Sequence, residues 1–67
     1  MKTITYRGEQ YEVEDWVNWV AMDAGGEIYA YEHEPIVSSE NDWINTGGNC
    51  FWIGSEPQDW DESLEKV

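Results

Sequence analysis

The sequence predicts a small, mainly β (α+β) domain: an antiparallel, twisted sheet from about three hairpins, with one short C-terminal helix. Three observations predict it. Glycine-bearing turns separate runs rich in β-branched and aromatic residues, the chemistry of strands and their connections. After Gly54 and Pro57 the apolar period changes, with Trp60, Leu64 and Val67 falling on one helical face. The 67 residues make one domain (1–67), near the lower limit for a chain that folds without staples.

The first hairpin joins "KTITY" to "YEVED" through "RGEQ". Gly8 suits the first central position of a type II′ turn, which pairs Tyr6 with Tyr11 and Ile4 with Val13 on an apolar face. Thr5 with Glu12 and Thr3 with Glu14 then form the polar face. "DWVNWVAMD" is ambiguous. As a helix, Val13, Trp16, Val17, Val20 and Ala24 share a face, with Asp15 as cap and Gly25 as stop. As a strand, Trp19 to Asp23 runs into a three-residue loop, Ala24-Gly25-Gly26, and returns as "EIYAY". The strand reading is preferred because "IYAY" is strand chemistry. It pairs Met22 with Ile28, Ala21 with Tyr29, Val20 with Ala30 and Trp19 with Tyr31.

Pro35 ends or kinks the returning strand, since it cannot donate to a ladder. "DWINT" and "CFWIG" flank "GGN", predicting a third hairpin with Trp43 against Trp52 and Ile44 against Phe51. Asp59 and Glu62 have capping-box spacing at the head of the terminal helix, and Asp59, Asp61 and Glu62 suit its dipole. The predicted sheet has an aliphatic side (Val20, Met22, Ile28, Ala30, Ile44, Phe51) and an aromatic side (Trp19, Tyr29, Tyr31, Trp43, Trp52). Trp16 belongs with Val20 and Met22. The short helix covers only part of one side, leaving the first hairpin, a second copy or a partner to cover the rest.

Five Trp, four Tyr and one Phe must supply most of the buried surface, at about 150–250 Å² for each large ring. Such aromatic loading argues for a folded chain despite the charge. Lys2, Arg7 and Lys66 are the only cations, so all fifteen acids lie between Gly8 and Glu65 with no Lys or Arg among them. A net charge of -12 repels nucleic acid and anionic membranes, which bind through Lys and Arg. Direct DNA or RNA binding is excluded on this ground, and the expected partners are basic proteins. The plainer reading is that the acidity keeps an aromatic-rich protein soluble. No leader or membrane-spanning run is expected, and a lone cysteine fits a cytosolic setting.

Each candidate for chemistry has a stronger structural reading. His33 lies between Glu32 and Glu34 but has no nucleophile motif to serve, and reads as a surface histidine at a strand end. Cys50 has no Cys-x-x-Cys partner and no basic neighbour, and reads as a small filler. "DWDESLE" begins like a calcium loop but lacks its sixth-position Gly and distal Glu. Paired carboxylates are too abundant to signify a glycosidase, and the chain is short for a substrate-burying cleft. No enzyme, no cofactor and no metal are expected.

The stretch "DWVNWVAMDAGGEIYAYEHEP" (Asp15 to Pro35), followed by "DWDESLEKV" (Asp59 to Val67), resembles a group of short, acidic, Trp-rich proteins encoded by tailed bacteriophages. The shared features are a Trp-rich strand, a Gly turn, an "E-x-Y-x-Y-E"-like strand and a tail with Trp60, Ser63 and Leu64. These motifs are structural and carry no catalytic or binding assignment. The resemblance implies a phage product working in bacterial cytoplasm.

The functional expectation is a non-catalytic acidic inhibitor of a host nucleic-acid-binding defence or repair protein. Carboxylates on a rigid sheet imitate the phosphates of a duplex, which run one charge per about 1.7 Å. Exposed aromatics supply anchors. The expected partner-binding residues are Trp19, Tyr31, Glu32, Glu34, Asp42, Trp43, Trp52, Asp59, Asp61 and Glu62. The alternative is a small homo-oligomeric or ligand-binding module that uses the aromatic face, with a homodimer as its simplest form and the acidity serving solubility only.

Overall fold

A computed structural model describes residues 1–38, 42–56 and 63–67. Eight strands follow one another: β1 (Lys2–Tyr6), β2 (Glu9–Val13), β3 (Trp19–Met22), β4 (Glu27–Tyr31), β5 (Ile36–Val37), β6 (Trp43–Ile44), β7 (Cys50–Ser55) and β8 (Glu65–Lys66). All pairings are antiparallel: β1 with β2, β5 with β6, and a four-stranded sheet in the order β7-β4-β3-β8.

The β3–β4 hairpin forms in the expected register, from Trp19 opposite Tyr31 to Met22 opposite Ile28. The Asp23 N–H donates to the Glu27 carbonyl at 2.9 Å, and Gly26 takes φ 88°, closing the three-residue loop. That left-handed position favours glycine, which bears no Cβ to clash there.

In the first hairpin the turn falls at Arg7–Gly8, both with positive φ (51° and 84°), and Tyr6 pairs with Glu9. The register is therefore two residues away from the expected one, with Ile4 opposite Tyr11 and Lys2 opposite Val13. A two-residue slip keeps every side chain on its own face, so the apolar pattern alone cannot distinguish the registers.

Two other expectations are corrected. The third hairpin does not form: β6 pairs with β5 (Ile36 opposite Ile44, Val37 opposite Trp43), and β7 pairs with β4. The free edge of β4 captures β7, which gives β4 a second hydrogen-bonded neighbour beside β3. The predicted C-terminal helix is absent from the described residues. Asp59, Asp61, Glu62 and Trp60 lie outside them, and the segment after Ser63 is extended. Lys66 pairs with Trp19 and Glu65 with Val20, while the Val67 N–H donates to the Asn18 carbonyl at 2.9 Å. An isolated helix of about two turns is marginal in water, and the open edge of β3 offers ready-made partners instead.

The core is the aliphatic face of the large sheet, covered by the first hairpin. Ile4, Tyr6 and Val13 from β1 and β2 meet Val20, Met22, Ile28 and Ala30, with Val17 between. Trp16, Tyr11, Ile53 and Val67 pack around this cluster. Each fully buried aliphatic side chain contributes roughly 1.5–3 kcal/mol. Gly54 leaves room for the Tyr11 ring, whose Cε1 would lie 3.3 Å from an added Cβ. Ile53 is the extra residue of a bulge between the Ile28–Gly54 and Tyr29–Trp52 pairs.

Ser63, wholly buried, completes the β3 edge. Its hydroxyl accepts from the Met22 N–H at 2.8 Å and donates to the Met22 carbonyl at 3.0 Å. The Tyr6 hydroxyl donates to the Ser63 carbonyl at 2.6 Å, tying the first hairpin to the same point. Among the described residues no helix is long and apolar enough to cross a membrane.

Candidate binding surface

The described residues enclose no pocket and hold no cluster of His, Cys, Asp and Glu able to bind a metal ion. What remains is the face of the large sheet opposite the first hairpin. In-register neighbours place Cys50, Tyr31, Trp19 and Lys66 in one row across it, and Trp52, Tyr29 and Ala21 in the next. The aromatic side is thus assembled from three strands, as the alternation of "EIYAY" requires.

Its members differ in accessibility. Trp52 is 55% exposed, whereas Tyr31 is 3% exposed and presents no ring to a partner. Trp19 is half-buried, with the Lys66 ammonium 6.0 Å from its ring centroid. Trp43 is half-buried and holds β6 onto the sheet: its indole N–H donates to the Met22 carbonyl and its backbone N–H to Asp23 Oδ1, both at 3.0 Å. Trp43 is consequently a structural anchor at this end of the sheet. Ile44, expected on the aliphatic side of the sheet, is instead exposed on the small β5–β6 hairpin. Phe51 does lie on the aliphatic side, at its rim, 38% exposed and edge-on to Trp16 at 5.6 Å.

Carboxylates border the aromatic rows at both ends. At the Tyr31 end, Glu34 is exposed, but Glu32 is engaged: its Oε1 accepts from the Asn49 backbone N–H at 3.0 Å and the Asn49 side-chain amide at 3.3 Å. At the turn end, Asp23, Glu27 and Asp42 gather. Burial, opposed by the Trp43 hydrogen bond and reinforced by Asp42 and Glu27, raises the Asp23 carboxyl above its ordinary range. The Tyr29 hydroxyl donates to Glu27 Oε2 at 3.3 Å. Burial, reinforced by Asp23, Cys50, Tyr29 and Asp42, pushes the Tyr31 hydroxyl far above its usual value.

The structure therefore brings Trp19, Tyr31, Trp52 and Asp42 to one side of the sheet. It commits Glu32 and Trp43 to internal bonds and leaves Glu34 on the loop beyond β4. Asp23, Glu27 and Tyr29 were not selected from sequence, although the hairpin register places Asp23 opposite Glu27 and next to Tyr29. His33 is exposed, as expected, and Cys50 is exposed rather than a buried filler. Comparison with protein-family models, with curated proteins and with solved structures returns no match.

Proposed function

We propose that this chain is a non-catalytic binding protein that inhibits a basic, nucleic-acid-binding protein of a bacterial host by occupying its phosphate-binding surface. The observation that carries the reading is the Asp23–Glu27–Asp42 group, where burial first, and the neighbouring Asp42 and Glu27 charges after it, raise the Asp23 carboxyl. One ion pair lies elsewhere, between the N-terminal ammonium and Asp15 at 3.4 Å. A lysine- or arginine-lined groove relieves the repulsion among these carboxylates on docking, and Tyr29, bonded to Glu27, provides an amphipathic anchor beside them. Exposed Glu9, Glu12, Glu14 and Glu65 extend the negative field to other faces and steer encounter. The resemblance to phage-encoded proteins supports a cytoplasmic setting in an infected bacterium.

The test is retention of lysate proteins on the immobilised chain at low and high salt, with duplex DNA as competitor. The expected result is recovery of basic nucleic-acid-binding proteins at low salt, released by salt and by DNA. Replacing Asp23 and Asp42 with Asn and Glu27 with Gln should weaken retention. Recovery of no such protein at low salt refutes the reading.

A further inference from the structure

The part of the chain without charge is also where apolar surface is exposed. From Trp43 to Ser55 there is no Asp, Glu, Lys, Arg or His, in a protein with fifteen acids, and β7 lies wholly inside that stretch. β7 ends the four-stranded sheet, so among the described strands only one of its edges is paired. The Glu32 N–H donates to the Asn49 carbonyl at 2.9 Å, which marks those residues as a hydrogen-bonded pair. By the alternation of an antiparallel ladder, the N–H and C=O groups of Cys50 and Trp52 then point to the open edge. Phe51 and Trp52 are exposed on its two faces. Neither lysine nor proline blunts the edge, and the bulge at Ile53 leaves Asn49 to Trp52 as its regular portion.

We propose that this edge pairs with the same edge of a second copy, β7 to β7 in antiparallel fashion about a two-fold axis, joining the two four-stranded sheets. Charge selects the occupant. Two copies at -12 each repel wherever their carboxylates meet, and the uncharged edge is where they approach at least cost. β7 itself offers a basic partner no carboxylate to gain from. An antiparallel edge is also self-complementary, each outward N–H meeting an outward carbonyl of the mate, as an isologous contact requires. Phe51 and Trp52 offer on the order of 200 Å² of open ring surface per copy. A standard interface buries about 800 Å² per partner, so the dimer is weak and concentration-dependent.

Sedimentation of the full chain over a range of concentrations, at about 0.05 and about 0.5 M salt, tests this. The expected mass rises from 7.8 kDa toward twice that value, at lower concentration in the higher salt. Trp52→Glu, at an exposed position that tolerates the change, should raise the midpoint concentration about tenfold or more. Thr5→Glu adds the same charge on the outer face of the first hairpin and should move it less than about twofold. Amide exchange at Cys50 and Trp52 should slow as the dimer fills. A monomer at every concentration overturns the proposal, as does dissociation by salt or undiminished association of Trp52→Glu. Association without added protection of the Cys50 and Trp52 amides overturns it equally.

Discussion

Ser63→Ala isolates the side chain that stands in for a strand. In the parent, one hydroxyl serves both the N–H and the C=O of Met22, and residue and partner are fully buried. In the variant the Met22 carbonyl keeps the Trp43 indole N–H at 3.0 Å, but the Met22 N–H loses the acceptor that the hydroxyl gave it. A buried donor left unmet costs about 1–3 kcal/mol, so the expected loss is about 2 kcal/mol. Against a total stability of about 3–10 kcal/mol for a domain of this size, that is a large fraction. With a urea m-value near 1 kcal/mol/M, the unfolding midpoint should fall by about 2 M at unchanged slope. Ser55→Ala, at an exposed hydroxyl, should move stability by less than about 0.5 kcal/mol. A Ser63→Ala midpoint as close to the parent as that of Ser55→Ala would refute the edge-closing role.

Three further outcomes are expected. Gly48→Ala places a Cβ 2.6 Å from Glu32 Oε1 at a residue with φ 72°; it should break the Glu32–Asn49 bonds and cost about 1–3 kcal/mol in thermal unfolding. Asp23→Asn keeps the Oδ1 acceptor for Trp43 but removes the charge, so it should raise the urea midpoint at neutral pH. Because the native Asp23 carboxyl titrates above its unfolded value of 3.8, the native state gains stability as pH falls through the raised value. The advantage of Asp23→Asn should therefore vanish below pH 3.8, and a gap that widens in acid would contradict the assignment. Tyr6 and Tyr31 both titrate above the ordinary 10.0, chiefly through burial. Their native forms hold the proton that the unfolded chain releases, so stability should decline as pH rises past 10.0. Phenolate absorbance should show these two hydroxyls ionising only as the protein unfolds.

The candidate surface was legible in the sequence where it depended on local register. Glycines at the loop, two strands of matching length and their alternation suffice to pair Trp19 with Tyr31 and Met22 with Ile28. That register puts Trp19, Tyr29 and Tyr31 on one face and Asp23 beside Glu27. It does not reveal that Tyr31 is buried while Trp52 is open, because exposure depends on what other elements lie above each ring. Trp43 shows the same limit. Its type suggests an anchor for a partner, but a carbonyl from β3 and a carboxylate from Asp23 have already engaged its two N–H groups.

By itself the sequence determined a mainly β chain, the β3–β4 hairpin with its loop and register, the two-faced character of the sheet, and a net charge of -12. These follow from short-range geometry and summed charge, which need no knowledge of distant partners. Only the tertiary structure decided that β7 joins β4 rather than β6, that the tail is a strand, and which of two face-preserving registers the first hairpin takes. Each is a choice among competing backbone partners of similar local propensity. It is settled by which edge is open when the elements meet, as Ser63 and Lys66 are fixed by the edge of β3.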